Sequence, residues 1–181
     1  MVRMLSMIAA AFCCAALAGC AGKPAEQPAK EPSRPEVSLR TVTPSQLAET
    51  LEKYRGKVVL VDYWATWCEP CKELLPHTVA LWCALGGQGL AVVSVSFDDA
   101  EDEPDVTKFL VAQGAVFENL RAETGTSPQS ATDFQIENGA IPFMQLYDRT
   151  GKLRKSFAAP FKPTDVEKAV KELLVEPASA A

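Results

Sequence analysis

Cysteines at positions 68 and 71 frame the tetrapeptide Cys68-Glu69-Pro70-Cys71. Two thiols at that spacing can close a small disulfide ring and open it again. At the start of a helix the pair acquires a division of labour. The first thiol faces unpaired backbone N–H groups and the positive end of the helix dipole, both of which stabilise a thiolate. Cys68 is therefore the candidate nucleophile, and Cys71 the thiol that attacks from behind it. Zinc is a rival reading, because Cys68, Cys71, His77 and Cys83 come near a zinc-knuckle spacing. However, residues 72–85 read as helix, and six helical residues turn His77 and Cys83 about 240° apart. No metal site is expected. A purely structural disulfide fits poorly with so tight a ring and the motif that flanks it.

Asp62 stands six residues before Cys68, near the end of an apolar segment and under the helix that carries Cys71. Its carboxyl group should be poorly solvated, which disfavours the charged form and raises its pKa. A carboxyl poised near working pH suits proton exchange with the thiol of Cys71. Cys83, between Trp82 and Ala84, reads as a small buried hydrophobe, and His77 as an exposed or capped polar residue. Asp98, Asp99, Glu101, Asp102, Glu103 and Asp105 form an acidic run without EF-hand spacing. It reads as a solvated loop entering a helix N-terminus, on the same sheet edge as the dithiol.

The elements that must position these groups alternate in kind. Thr43-Pro44-Ser45-Gln46 is a capping box with proline at the first helical position, and the helix it opens is stopped by Gly56. Val58 to Val61 is a continuous β-branched run, as in a central parallel strand covered on both faces. A helix is predicted over 69–85, ending at Gly86-Gly87, followed by a buried strand over 90–97. Helix over 104–113, a short strand over 115–120 and a short helix from Ser127 to Ile136 come next. Residues 143–147 and 153–157 flank Asp148-Arg149-Thr150-Gly151 as a hairpin. Thr164-Asp165-Val166-Glu167 is read as the cap of a last helix. The expected class is α/β, a central mixed β-sheet flanked by helices.

The chain of 181 residues, 48% hydrophobic and 23% charged, suits one ordinary domain. Its net charge of -5, from 18 basic and 23 acidic side chains, argues against nucleic acid as a partner. A single histidine excludes any site that needs two, and six cysteines are too few for a disulfide-stapled scaffold.

The N-terminus reads as an address. Arg3 precedes an apolar run from Met4 to Leu17, the pattern of a secretory signal. Leu17-Ala18-Gly19-Cys20 resembles a lipobox, which implies removal of 1–19 and lipid on Cys20. Two acyl chains would give stable anchoring. Ala21, where aspartate favours inner-membrane retention, implies outer-membrane sorting. Residues 20–36, with Pro24, Pro28, Pro32 and Pro35, read as an extended tether, 37–176 as the folded domain, and 177–181 as a disordered tail.

Trp64-Ala65-Thr66-Trp67-Cys68-Glu69-Pro70-Cys71, with Pro76 five positions on and Ile141-Pro142 later, resembles the thioredoxin superfamily, most closely its exported TlpA/ResA-like branch. The resemblance spans roughly Val37 to Leu174. It implies a thioredoxin-like fold, with 104–136 as the branch's central insertion, and a cis Pro142. It sets Trp67, Glu69, Pro70, Ile141 and Pro142 at the substrate surface, where the Ile141 backbone would pair with the substrate chain. It implies no cofactor. Disulfide-containing exported proteins are the implied partners, together with a membrane electron donor. Two departures stand out. The branch's frequent glutamate three residues after the second cysteine is Leu74 here. Asp62 matches thioredoxin's buried aspartate, while its lysine neighbour aligns with Ser94, leaving no evident cation beside Asp62.

The expectation is a membrane-anchored thiol–disulfide oxidoreductase facing the periplasm or exterior, using Cys68 and Cys71. Glu69 and the lack of a flanking histidine favour a reductant. A peroxiredoxin-like peroxidase is the first alternative, but its Pro-x3-Thr-x2-Cys pattern meets Val61 and Ala65 here. A non-catalytic binding module on the same fold is the second.

Overall fold

The computed structural model describes residues 36–177. The signal segment, Cys20, the tether before residue 36 and the tail after 177 lie outside the described residues. Six strands form one sheet: β1 (Arg40–Val42), β2 (Val58–Trp64), β3 (Leu90–Ser96), β4 (Glu118–Ala122), β5 (Phe143–Tyr147) and β6 (Leu153–Ala158). Their order is β1-β4-β3-β2-β5-β6. The pairs β1–β4, β4–β3 and β3–β2 are parallel, and β2–β5 and β5–β6 are antiparallel. The helices are α1 (Pro44–Glu52), α2 (Glu69–Leu85), α3 (Glu103–Gln113), α4 (Pro128–Asp133) and α5 (Pro163–Val175).

Every residue of β2 and β3 is buried, as their unbroken apolar runs require of strands covered on both faces. The pleat sends alternate side chains to opposite faces. Trp64 packs against Phe109 of α3, while Tyr63 packs against Phe97, Phe134 and Phe143 on the other side. Asp62 therefore shares a face with Trp64, the face on which α2 lies. Leu75, on the inward side of α2, is fully buried. Leu75→Ala should cost about 2–5 kcal/mol, read as a fall in the urea midpoint at unchanged slope.

Some elements differ from the sequence reading. β1 was not expected, since three residues show no periodicity. Pairing with β4 and the Arg40–Glu118 ion pair at 3.0 Å define it. β4 begins at Glu118 rather than Ala115. Gly114, at φ +68°, turns the chain out of α3, and the Ala115 N–H is spent on the Leu110 carbonyl. α1 ends at Glu52, before Gly56, and α5 begins at Pro163 with Lys162 as its cap. Thr164 is inside that helix and caps nothing. Residues 104–136 are built into the sheet: they supply most of α3, then β4 between β1 and β3, then α4. Among the described residues no helix is long and apolar enough to cross a membrane.

Candidate functional site

β2 ends at Trp64, and a three-residue link, Ala65–Trp67, delivers the chain to α2. Cys68 is the N-cap, extended at φ −93° and ψ 96°, and its carbonyl accepts from the N–H groups of Cys71 and Lys72, both at 3.1 Å. The side chain makes no cap hydrogen bond, so the thiol position is left for chemistry. Pro70 in the first turn carries no N–H to satisfy. Cys68 and Cys71 form a disulfide with Cα atoms 5.2 Å apart. Cys68 retains 6% exposure and Cys71 1%, so one sulfur-bearing residue borders the surface and the other is enclosed. Trp67 beside them is 57% exposed. Glu69 and Pro70 are also exposed, and Glu69 pairs with Lys72 at 2.7 Å. An exposed pair of this kind is worth at most ~1 kcal/mol, but it offsets the field of Glu69 at the dithiol.

Strand pairing brings a distant segment to the same edge. Phe143 stands opposite Tyr63 in the β2–β5 register, which sets Pro142 level with the end of β2. The Ile141–Pro142 bond is cis; Ile141 is half-buried and Pro142 buried.

Asp62 is buried, and burial pushes its carboxyl up to about 7 against the partial opposition of one hydrogen bond. That bond comes from Thr78 Oγ1, which donates to Asp62 Oδ2 at 2.7 Å. Ser94 faces Asp62 across the sheet, but its hydroxyl donates to Asn119 Oδ1 at 2.8 Å. No cation contributes to the shift. Thr78 was not singled out from the sequence, although a signal existed. It lies seven residues after Cys71, on the same face of α2, and the two are separated by ~10 Å of helix rise.

Two readings of the sequence need correction. Cys83 is exposed rather than buried. The buried stripe of α2 runs through Cys71, Leu74, Leu75 and Thr78, and five residues beyond Thr78 the helix has turned by about 140°. His77 is exposed, one of the two placements read from the sequence, and among the described residues no three potential metal ligands cluster. The acidic run is not uniformly solvated. Asp98 is fully buried, and its oxygens accept from Thr66 N at 3.0 Å, Thr66 Oγ1 at 2.5 Å and Ser96 Oγ at 2.5 Å. Asp99 accepts from Thr126 N at 3.0 Å and Oγ1 at 2.8 Å, donations that hold its carboxyl below the usual range. Buried carboxylates persist where donors fill their oxygens, and hydroxyl residues at 66, 96 and 126 were the overlooked signal.

Comparison with known proteins agrees with this geometry. Residues 35–178 match the AhpC/TSA family. The chain is 27% identical over 117 residues to the thiol-disulfide oxidoreductase ResA of Geobacillus thermodenitrificans, a match covering 65% of this chain and 63% of that protein. It is 26% identical over 119 residues to the thiol:disulfide interchange protein HelX of Rhodobacter capsulatus, covering 66% and 62%. The chain thus spans less than two thirds of the length of these relatives. Among solved structures, a thioredoxin family thiol:disulfide interchange protein from Chlorobium tepidum superposes with a TM-score of 0.57 at 25% identity, over 68% of this chain and 83% of that one.

Proposed function

The chain belongs to the AhpC/TSA family and has a thioredoxin-like fold, and from that premise we propose that it is a thiol–disulfide oxidoreductase that reduces disulfides of exported proteins. The observation that carries the reading is a disulfide closed across the first turn of α2, with Cys68 bordering the surface at 6% exposure and Cys71 enclosed at 1%. In the reduced protein the Cys68 thiolate attacks one sulfur of a substrate disulfide. That S–S bond breaks, a mixed disulfide forms and one substrate thiolate leaves. Cys71, as thiolate, then attacks the Cys68 sulfur, closing the Cys68–Cys71 bond and releasing the second substrate thiolate. Two electrons pass to the substrate, and a donor must return them before the next turn.

Trp67, Glu69, Pro70 and the Ile141–Pro142 segment are the proposed substrate surface, with the Ile141 backbone available for strand addition. The N-terminal sequence supports the rest: a lipid on Cys20 would hold the domain at a membrane, in the periplasm or exterior, within reach of a membrane electron donor. The test is equilibration of the full chain with glutathione buffers, followed by mass shift of the Cys68–Cys71 peptide. The pair should stay largely oxidised in buffers that fully reduce a strong oxidant's disulfide. Equilibration as a strong oxidant would overturn the assignment as a reductant.

The exposed acids Glu101, Asp102, Glu103 and Asp105 follow β3 at the same edge as the dithiol. Their field should repel anionic disulfides, so raising salt from about 10 to 150 mM should speed reduction of an anionic aromatic disulfide by about 2–5-fold and leave a neutral one unchanged. A flat or falling rate would remove these acids from substrate selection.

A further inference from the structure

Asp98 and Asp99 are consecutive residues that grip two different loops in the same manner. Each takes the backbone N–H and the side-chain hydroxyl of one threonine: Thr66, in the link that delivers the dithiol, and Thr126, in the link between β4 and α4. Ser96 locks the first grip from beneath, since its hydroxyl donates to Asp98 and accepts from the Asp98 N–H at 3.0 Å. Gly125 closes over the second. It sits at φ +54°, and a Cβ there would meet Asp99 Oδ1.

We propose that Asp98 is a positioning residue for the dithiol: it fixes Thr66, and so the approach to Cys68, while its buried carboxylate disfavours the Cys68 thiolate and biases the pair towards giving up electrons. The proposal deepens the reading of the protein as a reductant and rests on it. Thr66 is two residues before Cys68, so at most ~7 Å of chain separates the anchored residue from the nucleophile. Asp98 has no solvent exposure and, among the described residues, no ion-pair partner within 4 Å, so its field is little screened. Other charged groups lie on the surrounding elements, among them the exposed Glu101, Asp102, Glu103 and Asp105 after β3, whose field solvent and salt screen. On α2, Glu69 and Lys72 neutralise each other, and Glu73 is exposed; on β2 there is Asp62, held by Thr78; behind Asp98 stand Asp99, and Arg121 with Glu103 4.0 Å from it. Residues 140–142 bring no charge. Of these, Asp98 alone is bonded directly to the link that ends in Cys68.

The opposing signs of two variants separate this electrostatic role from simple support. In the reduced full chain, the pH dependence of Cys68 alkylation by neutral iodoacetamide is followed at the Cys68 peptide by mass spectrometry. Asp98→Asn removes the charge and should lower the midpoint by about one pH unit, a tenfold gain in thiolate fraction below the midpoint. Thr66→Ala keeps the charge but strips a donor that neutralises it, and should raise the midpoint by a few tenths of a unit. Thr66→Ser, which keeps the hydroxyl, should restore the wild-type value. Should Asp98→Asn not fold, Ser96→Ala replaces it, with the same upward shift expected as for Thr66→Ala. Midpoints that move in one direction in Asp98→Asn and Thr66→Ala, or that do not move in Thr66→Ala and Ser96→Ala, would overturn the proposal. Alkylation needs no substrate disulfide, so this result stands apart from whether the chain proves to be a reductant.

Discussion

Cys71→Ser should convert the protein from a turnover catalyst into a trap. The first attack needs only the Cys68 thiolate, and serine at 71 cannot complete the exchange, so the mixed disulfide accumulates on Cys68. Cys68→Ser should lower disulfide reduction by at least ~10³-fold and trap nothing, because the hydroxyl is a far weaker nucleophile at neutral pH. The two variants are expected to differ because the residues differ in access: Cys68 borders the surface, whereas Cys71 is enclosed beneath it. Non-reducing electrophoresis of the full chain after mixing with a protein disulfide reads the outcome directly. Equal trapping by both variants, or trapping on Cys71 alone, would reverse the assigned order. The chain captured on Cys68 would also identify the substrate class.

Most of what positions the dithiol was legible because it is local. The apolar run of β2, the helix that follows and the Pro-containing first turn are encoded within residues 58–85, and the structure places α2 over 69–85 as its pattern predicts. What the sequence hid was created by pairing. β1 has three residues, and Arg121 in β4 is a buried cation that no hydrophobic pattern announces. The acidic run looked uniform in sequence, yet Asp98 turns into the protein because Thr66 and Ser96, from two different segments, supply donors there. Cys83 was misplaced for the opposite reason. Its apolar neighbours suggested burial, while the helical period carries it to the outer face. Asp62 was recognisable from its place on β2, but its partner Thr78 becomes evident only once α2 lies across the sheet.

Asp62→Asn should make the fold more stable at neutral and alkaline pH, and slow the second step of exchange. In the unfolded chain this carboxyl titrates near its ordinary 3.8; in the fold, desolvation moves it to about 7. The folded state therefore binds the proton more tightly. The resulting stability is fully present below 3.8 and is lost as pH rises through 7. At about 1.36 kcal/mol per unit, the ionised protein carries a penalty of at most ~4 kcal/mol above that range. Asparagine cannot ionise, and its carbonyl can still accept from Thr78, so the variant should gain up to a few kcal/mol at pH ~8 and nothing near pH ~4. Urea midpoints measured across that range test the sign, and a constant difference between the two proteins would refute it. The kinetic effect follows from the same carboxyl. A group near half-ionised at neutral pH can take the Cys71 proton as that thiol becomes the attacking thiolate, and loss of such assistance costs on the order of 10²-fold. Attack by Cys68 should be little changed, so mixed disulfide builds up transiently. Asp62 meets α2 at Thr78, ~10 Å of helix rise from Cys71. If that separation breaks the proton connection, rapid mixing will show unchanged resolution between about pH 6 and 9, and Asp62 will be left with a cost to stability and no part in the exchange.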